Sequence, residues 1–166
     1  IETYEVNVIG TVKVLEVARN CPNLKAVINI TTDKCYENVG LDKSYIETYP
    51  MGGFDPYSSS KGCAELVAAS YRRSFFNDLG IGVASVRAGN VIGGGDWAKD
   101  RLIPDILKSF ELNKAVIVRN PNATRPWQHV LEPLSGYLLL AQRLYNNYEL
   151  YSEGWDFGPD EKDVKP

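Results

Sequence analysis

A tyrosine and a lysine four residues apart, Tyr57 and Lys61, have the clearest potential for chemistry in this chain of 166 residues. On a helix, that spacing places both side chains on one face. A tyrosine with an ordinary pKa near ~10 is a poor base at neutral pH, but an adjacent ammonium group lowers that pKa by favouring the phenolate. Such a pair could take a proton from a substrate hydroxyl. The spacing alone, however, favours an ordinary solvated pair.

A second group of polar residues runs from Thr31 to Lys34, where a predicted buried strand ends. A threonine hydroxyl there could hydrogen-bond the substrate oxygen that Tyr57 attacks. Asp33 and Lys34 offer an acid and a base side by side. A strand-end turn in which Thr and Asp cap the backbone explains the same residues at least as well.

Strands and helices alternate along the chain, which predicts an α/β fold with a parallel sheet. Asp55 is a good N-cap, Pro56 suits the first helical position, and Gly80 suits the C-terminal cap of the helix between them. Ligands of such sheets sit beyond the carboxyl ends of the strands, where the loops after Thr31 and Arg87 begin. Strands are predicted at 25–31, 82–89, 115–120 and 155–159, and helices at 2–19, 56–79 and 100–113. Residues 124–147 are predicted to run from a short extended piece into a strongly apolar helix.

Composition excludes several classes of function. A formal net charge of −3 argues against general nucleic-acid binding. No apolar run approaches the ~20 residues of a membrane span, so no membrane partner is expected. Three widely spaced cysteines, Cys21, Cys35 and Cys63, fit reduced thiols in a cytoplasmic protein better than disulfides or a metal site.

The segments "TTDK" and "YSSSK" together resemble the extended short-chain dehydrogenase/reductase family, and within it the nucleotide-sugar 4,6-dehydratases. Most of those enzymes read Thr-Asp-Glu, whereas this chain has Lys34 at the glutamate position. That departure resembles the members that act on CDP-glucose. The resemblance implies a Rossmann-like parallel sheet flanked by helices, with NAD as cofactor and a nucleotide sugar as substrate.

Further segments extend the resemblance over nearly the whole chain. They are "NVIGT", "RAGNVIGGGD", "RLIP", "TRPWQHV" and "FGP". In "TRPWQHV", Pro126 replaces the usual aspartate. The resemblance implies catalytic roles for Thr32, Asp33, Lys34, Tyr57 and Lys61, cofactor contacts from Asn7, Thr31, Tyr57, Lys61 and Ala88, and substrate contacts from Asn90, Arg101 and Arg125.

The resemblance also implies a mechanism. Tyr57, assisted by Lys61 and Thr32, would deprotonate the sugar 4-hydroxyl while hydride passes from C4 to NAD. Asp33 would protonate the departing 6-hydroxyl, and Lys34 would act as the base at C5. Lys34 must be neutral for that role, which demands burial or a neighbouring cation. His129 is interpreted as structural or rim-lining.

The chain reads as the middle part of a longer protein, since no glycine-rich dinucleotide turn occurs in it and that turn is expected before Ile1. On this interpretation, residues 1–96 are the C-terminal part of the NAD-binding domain with the catalytic residues. Residues 97–166 are mostly a nucleotide-sugar-binding region, interleaved with returning Rossmann elements. The segment by itself is expected to bind NAD poorly.

Other interpretations stay open at this point. Another nucleotide-sugar 4,6-dehydratase or a 4-epimerase would share most of these motifs, although the Asp33–Lys34 pair argues against an epimerase. A non-catalytic nucleotide-sugar-binding or scaffold protein could keep the fold. The resemblance further implies a homodimer through helices 2–19 and 56–79 and, for the whole protein, a role in deoxysugar biosynthesis for lipopolysaccharide O-antigen.

Overall fold

A parallel three-stranded sheet forms the centre of the computed structural model, which describes residues 1–40, 44–98, 100–160, 162 and 164. The strands are β1 (Ala26–Ile30), β2 (Gly82–Ala88), β3 (Val91–Ile92), β4 (Gln128–His129) and β5 (Gly154–Phe157). The order in the sheet is β1-β2-β5, with Ala26 opposite Gly82 and Ser85 opposite Gly154. A separate parallel pair joins β3 to β4. The predicted α/β class with a parallel sheet is therefore confirmed.

Helices cover both faces of this sheet. They are α1 (Glu2–Tyr4), α2 (Gly10–Ala18), α3 (Pro56–Tyr71), α4 (Leu102–Glu111), α5 (Leu131–Asn146) and α6 (Tyr148–Tyr151). A π-helical segment, Glu5–Ile9, joins α1 to α2, and another, Arg72–Phe76, extends α3. A short 3₁₀ turn, Asp33–Cys35, follows β1.

Two apolar clusters lie on opposite sides of the sheet. Val83 points into one cluster, with the fully buried Phe76 and Leu15. Ala84, the next residue of β2, points into the other cluster, with Leu144 of α5. Successive residues of a strand face opposite sides, so a strand buried on both faces reads as a continuous apolar run. That is why β2 is readable from the sequence.

The start of α3 is held by its cap and by two glycines. The Asp55 carboxylate accepts the backbone N–H groups of Tyr57 and Ser58 at 2.9 and 3.1 Å. A Cβ at Gly62 would lie 2.7 Å from the Gly52 carbonyl oxygen, and one at Gly53 would lie 2.2 Å from a backbone nitrogen of α3. The backbone of α3 thus approaches the preceding loop closely, which only glycine allows.

Two predicted elements need correction. The apolar run 115–120 is not a strand, because the described chain places no strand beside it to pair with its backbone; Ile117 in it is 85% exposed. The helical chain that begins at Pro56 ends at Phe76, before the predicted residue 79. Gly80, with a φ of 65°, then turns the chain into β2.

Candidate active site

A cleft of about 1110 Å³ opens beyond the carboxyl ends of β1 and β2. One wall carries the turn after β1 and the start of α3. The other carries the glycine-rich loop after β2, helix α4 and the irregular run 115–120. Seven of the residues predicted to act in catalysis or substrate binding line it: Thr32, Asp33, Lys34, Tyr57, Asn90, Arg101 and Arg125.

The turn after β1 presents an acid to the cleft. The Thr32 hydroxyl donates to the Asp33 carboxylate at 3.0 Å and accepts the Lys34 backbone N–H at 3.4 Å. Asp33 is exposed to the open cleft, yet the surrounding protein desolvates its carboxyl and raises the pKa. The Thr32 hydrogen bond and the charge of Lys34 oppose that effect without cancelling it. A carboxyl with a raised pKa is suited to donate a proton.

Tyr57 and Lys61 lie on one face of α3, as their spacing predicts. Tyr57 is 45% exposed and lines the cleft, and its hydroxyl has no hydrogen-bond partner among the described residues. Lys61 donates from Nζ to the Ile30 carbonyl at 3.3 Å, at the end of β1. Burial lowers the pKa of Lys61. The pair therefore presents a phenol to the cleft with an ammonium group one helical turn behind it.

The opposite wall supplies cations. The β3–β4 pair joins the loop of Asn90 to that of Arg125, since the Asn90 carbonyl accepts the Gln128 N–H at 3.0 Å. Arg125 is exposed, donates to the Thr124 carbonyl at 2.8 Å, and acts electrostatically on Asp33. Arg101, also exposed, is the N-cap residue of α4. Guanidinium groups in an open cleft suit phosphate oxygens.

The remaining predicted residues, Asn7, Thr31 and Ala88, are arranged around α3 and the ends of the strands. Asn7 donates from Nδ2 to the Ser60 hydroxyl of α3 at 2.9 Å. Thr31 donates its hydroxyl to Glu65 of α3, and Ala88 ends β2. Together with Lys61 and Tyr57, they form a second group of polar and backbone atoms beside the cleft.

A buried polar network beneath the site was missed by the sequence reasoning. Arg87 donates to both oxygens of Glu65, at 2.8 and 3.0 Å, and also bonds the Tyr36 hydroxyl. Tyr36 in turn donates to Asp156 at 2.6 Å. The available signals were an arginine in a mostly apolar strand and a glutamate four residues after Lys61.

Other candidate chemistry is limited. Among the described residues, no group of His, Cys, Asp and Glu could hold a metal ion, and no helix is long and apolar enough to cross a membrane. All three cysteines are free, and burial raises the pKa of Cys35 to about 12. The imidazole Nδ1 of His129 accepts the Leu131 N–H at 3.3 Å at the start of α5.

A parallel sheet flanked by helices, with a Tyr–Lys pair and a Thr-Asp turn at its carboxyl edge, defines the short-chain dehydrogenase/reductase class. Comparison with known sequences agrees, since residues 1–152 match the NAD dependent epimerase/dehydratase family. The chain belongs to that family.

Two of the known relatives to which this chain is similar are nucleotide-sugar 4,6-dehydratases. The chain is 64% identical over 170 residues to a CDP-glucose 4,6-dehydratase of Salmonella typhimurium, covering 99% of this chain and 47% of that protein. It is 27% identical over 176 residues to a dTDP-D-glucose 4,6-dehydratase of Dictyostelium discoideum, covering 99% of this chain and 39% of the relative. The predicted resemblance to nucleotide-sugar 4,6-dehydratases is confirmed.

A solved structure has the same architecture. The crystal structure of dTDP-glucose 4,6-dehydratase from Bacillus anthracis in complex with NAD superposes with a TM-score of 0.80 at 26% identity. The match covers 95% of this chain and 48% of that one. The chain thus spans about half the length of the relatives that it matches.

Proposed function

We propose that the complete protein dehydrates a nucleotide-activated hexose, converting CDP-glucose to CDP-4-keto-6-deoxyglucose with NAD as its cofactor. The identity of 64% to a CDP-glucose 4,6-dehydratase supports both the reaction class and the nucleotide. The substrate's diphosphate would lie against Arg125 and Asn90, and its nucleotide beside Arg101.

The observation that supports the proposal most directly is the set of side chains that line the cleft. It brings an acid, Asp33, and a phenol, Tyr57, to one wall and exposed guanidinium groups to the other. Oxidation at a hydroxyl requires a base, elimination of water requires an acid, and a diphosphate requires cations. A simple epimerase would need the first and third of these features but not the second.

The residues beside the cleft fit a dinucleotide. The Lys61 ammonium has three N–H donors, and one of them bonds the Ile30 carbonyl. Two donors therefore remain for the hydroxyls of a ribose. The Tyr57 hydroxyl has both a donor and an acceptor to offer. We assign cofactor contacts to Asn7, Thr31, Tyr57, Lys61 and Ala88. When bound, NAD supplies the hydride acceptor and donor for the reaction.

The chain's own residues divide the proton transfers between them. Tyr57, with the Lys61 ammonium behind it and the Thr32 hydroxyl beside it, takes the proton of the sugar 4-hydroxyl. The resulting 4-keto group acidifies the hydrogen at C5, so that water can leave across C5 and C6. Asp33, whose pKa is raised by desolvation, protonates the departing 6-hydroxyl.

Lys34 is assigned as the base that removes the C5 proton. The side chain is exposed and lines the cleft beside Asp33, on the same turn as the acid.

The assignment extends to the organisation of the whole protein. Residues 1–96 belong to the NAD-binding domain and residues 97–166 mostly to the nucleotide-sugar region, with β5 returning to the main sheet. The complete protein would act in the cytoplasm, in deoxysugar synthesis for the O-antigen of lipopolysaccharide, without nucleic-acid, membrane or metal partners.

A homodimer through the segments 2–19 and 56–79 completes the proposal. Both segments expose large apolar side chains, including Val6, Val14 and Val17 on the first and Leu66 on the second, each at least 60% exposed. Exposed apolar side chains on two helices that contact each other favour a protein partner. Light scattering after size exclusion should give twice the protomer mass, and a monomer would refute the dimer.

The variant Asp33→Asn tests the proposed reaction. It keeps the shape of the side chain but removes the proton that the leaving hydroxyl needs. We expect the variant to oxidise the sugar and accumulate reduced cofactor, while formation of the 6-deoxy product falls by about 10²–10⁴-fold. The same assay on Lys34→Gln should show retained oxidation and lost elimination.

Asp160→Asn is the matched control, because it removes a carboxylate that is 72% exposed and whose ion-pair partner among the described residues is Lys162. It should have the kinetics of the parent protein. Full product formation by Asp33→Asn would contradict the acid role and with it the dehydratase assignment of this cleft.

A further inference from the structure

We propose that the buried Glu65–Arg87 ion pair is a positioning pair for catalysis. It fixes helix α3, and with it Tyr57 and Lys61, in one register against the strand ends that carry Thr31 and Thr32. The inference rests on the proposed function and adds two residues to it that touch neither substrate nor cofactor.

The pair itself has a two-point geometry. Arg87 donates from Nε and Nη2 to the two carboxylate oxygens of Glu65, at 2.8 and 3.0 Å. The side chains are 5% and 6% exposed. Parallel hydrogen bonds between a guanidinium and a carboxylate fix orientation as well as distance. The end of β2 and the middle of α3 therefore cannot slide or rotate past each other without breaking both bonds.

Glu65 shares a helix face with the catalytic pair, since Tyr57, Lys61 and Glu65 follow at intervals of four residues. The Glu65 carboxylate also accepts the hydroxyl of Thr31. Lys61 donates to the carbonyl of Ile30 at 3.3 Å. Two residues of this face are thus tied to the end of β1, one residue away from Thr32.

The other side of Arg87 reaches the loop that follows the Thr32–Lys34 turn. Its Nη1 bonds the Tyr36 hydroxyl and the Glu47 carbonyl, and its guanidinium carbon lies 5.0 Å from the centroid of the Tyr36 ring. A Cβ at Gly154 would lie 2.3 Å from Nη2, so a glycine in β5 leaves room for the guanidinium. The network connects all three strands of the sheet to the turn that holds the acid.

Stability alone is a weak reason for such a pair. Removing two charges from water costs about as much as their attraction returns, and a well-packed apolar pair often stabilises a fold as well or better. Directional bonds, in contrast, can hold Tyr57 and Thr32 at the separation that one shared substrate oxygen requires. A displacement of about 1 Å in such a geometry can cost ~10²-fold in rate.

The test is Glu65→Gln in the complete protein, assayed with CDP-glucose well below the thermal midpoint of the variant. Glutamine keeps the shape and one acceptor oxygen but cannot bond both guanidinium nitrogens and Thr31. We expect kcat to fall about 10- to 100-fold while KM changes by less than about 3-fold and the bound NAD content stays the same. Asp160→Asn, which breaks the exposed pair with Lys162, should match the parent.

A parent-like kcat in folded Glu65→Gln overturns the proposal, because a purely structural role changes the thermal midpoint and leaves turnover of the folded protein intact. Should the variant fail to fold, Thr31→Val decides. It removes the hydroxyl that bonds Glu65 and the Val86 carbonyl, and we expect it to lower kcat with little change in KM or in the bound NAD content. A parent-like kcat for Thr31→Val would then refute the positioning role.

Amide hydrogen exchange tests the positioning role independently of the proposed enzymatic function. If the parent protein lacks dehydratase activity, the function is wrong, but the positioning claim still predicts faster exchange in Glu65→Gln. The affected amides are those of the Asp33–Cys35 turn and the first turn of α3, with β2 unchanged. Unchanged exchange in that turn and helix would overturn the positioning role on its own.

Discussion

The contact between α3 and the loop before it offers a quantitative test of how the fold positions the site. Gly62→Ala adds a Cβ that would lie 2.7 Å from the Gly52 carbonyl oxygen and 3.1 Å from the Cys35 carbonyl oxygen. Both atoms belong to the backbone, so neither can rotate away. Either α3 or the loop must move by several tenths of an ångström.

The expected cost follows from two opposing effects. Overpacking a tight contact costs about 1–3 kcal/mol. Alanine recovers about 1 kcal/mol over glycine in a helix interior. We therefore expect a net loss of up to about 2 kcal/mol in the free energy of unfolding. Because Cys35 directly follows the Asp33–Lys34 pair, the displacement reaches the acid, and kcat should fall about 10-fold or more.

Gly10→Ala is the matched control. Gly10 is also helical, but a Cβ there would lie 3.7 Å from its nearest neighbour, the Glu5 carbonyl oxygen, at ordinary contact distance. That variant should gain about 0.5–1 kcal/mol in unfolding free energy. Urea unfolding and steady-state kinetics of the complete protein measure both quantities. A Gly62→Ala variant as stable and as active as the parent would show that this contact does not position the site.

Two further variants test the charges of the site. Arg125→Gln should raise KM for the nucleotide sugar about 10- to 100-fold with a smaller change in kcat, whereas the exposed Arg143→Gln should leave both unchanged. Hydrogen bonds from Ser58 lower the pKa of the Asp55 carboxyl, which caps α3. The ionised carboxylate therefore stabilises the fold above the ordinary pKa of 3.8, and this stabilisation is lost as the pH falls below that value. The thermal midpoints of the parent and of Asp55→Asn should differ at neutral pH and converge below pH 3.8. A difference in midpoint that stays the same at all pH values would show that the ionised Asp55 carboxylate does not stabilise the fold.

Much of the framework could be predicted from the sequence because its signals are local. Asp55 and Pro56 mark the start of α3, and the structure confirms the cap bonds. The β-branched runs of β1 and β2 are readable because strands buried on both faces need no alternation. The placement of Thr32, Asp33 and Tyr57 at one cleft follows from the rule that ligands sit at the carboxyl ends of parallel strands.

Features that depend on long-range partners could not be read in the same way. The run 115–120 has the composition of a strand, but a strand also needs a neighbour to pair with. The partners of Arg87 lie 22 and 51 residues away along the chain, in Glu65 and Tyr36. No local pattern specifies such a pairing. An arginine amid apolar strand residues indicates only that some buried partner exists.

The product formed from CDP-glucose by the complete protein with NAD is the most direct test of the central claim. The account predicts a CDP-linked 4-keto-6-deoxy sugar, with no net consumption of cofactor. A C4 epimer as the product would contradict the role of Asp33 as an acid. Absence of turnover with any nucleotide-linked glucose, in a protein that retains NAD, would contradict the assignment of an enzyme altogether.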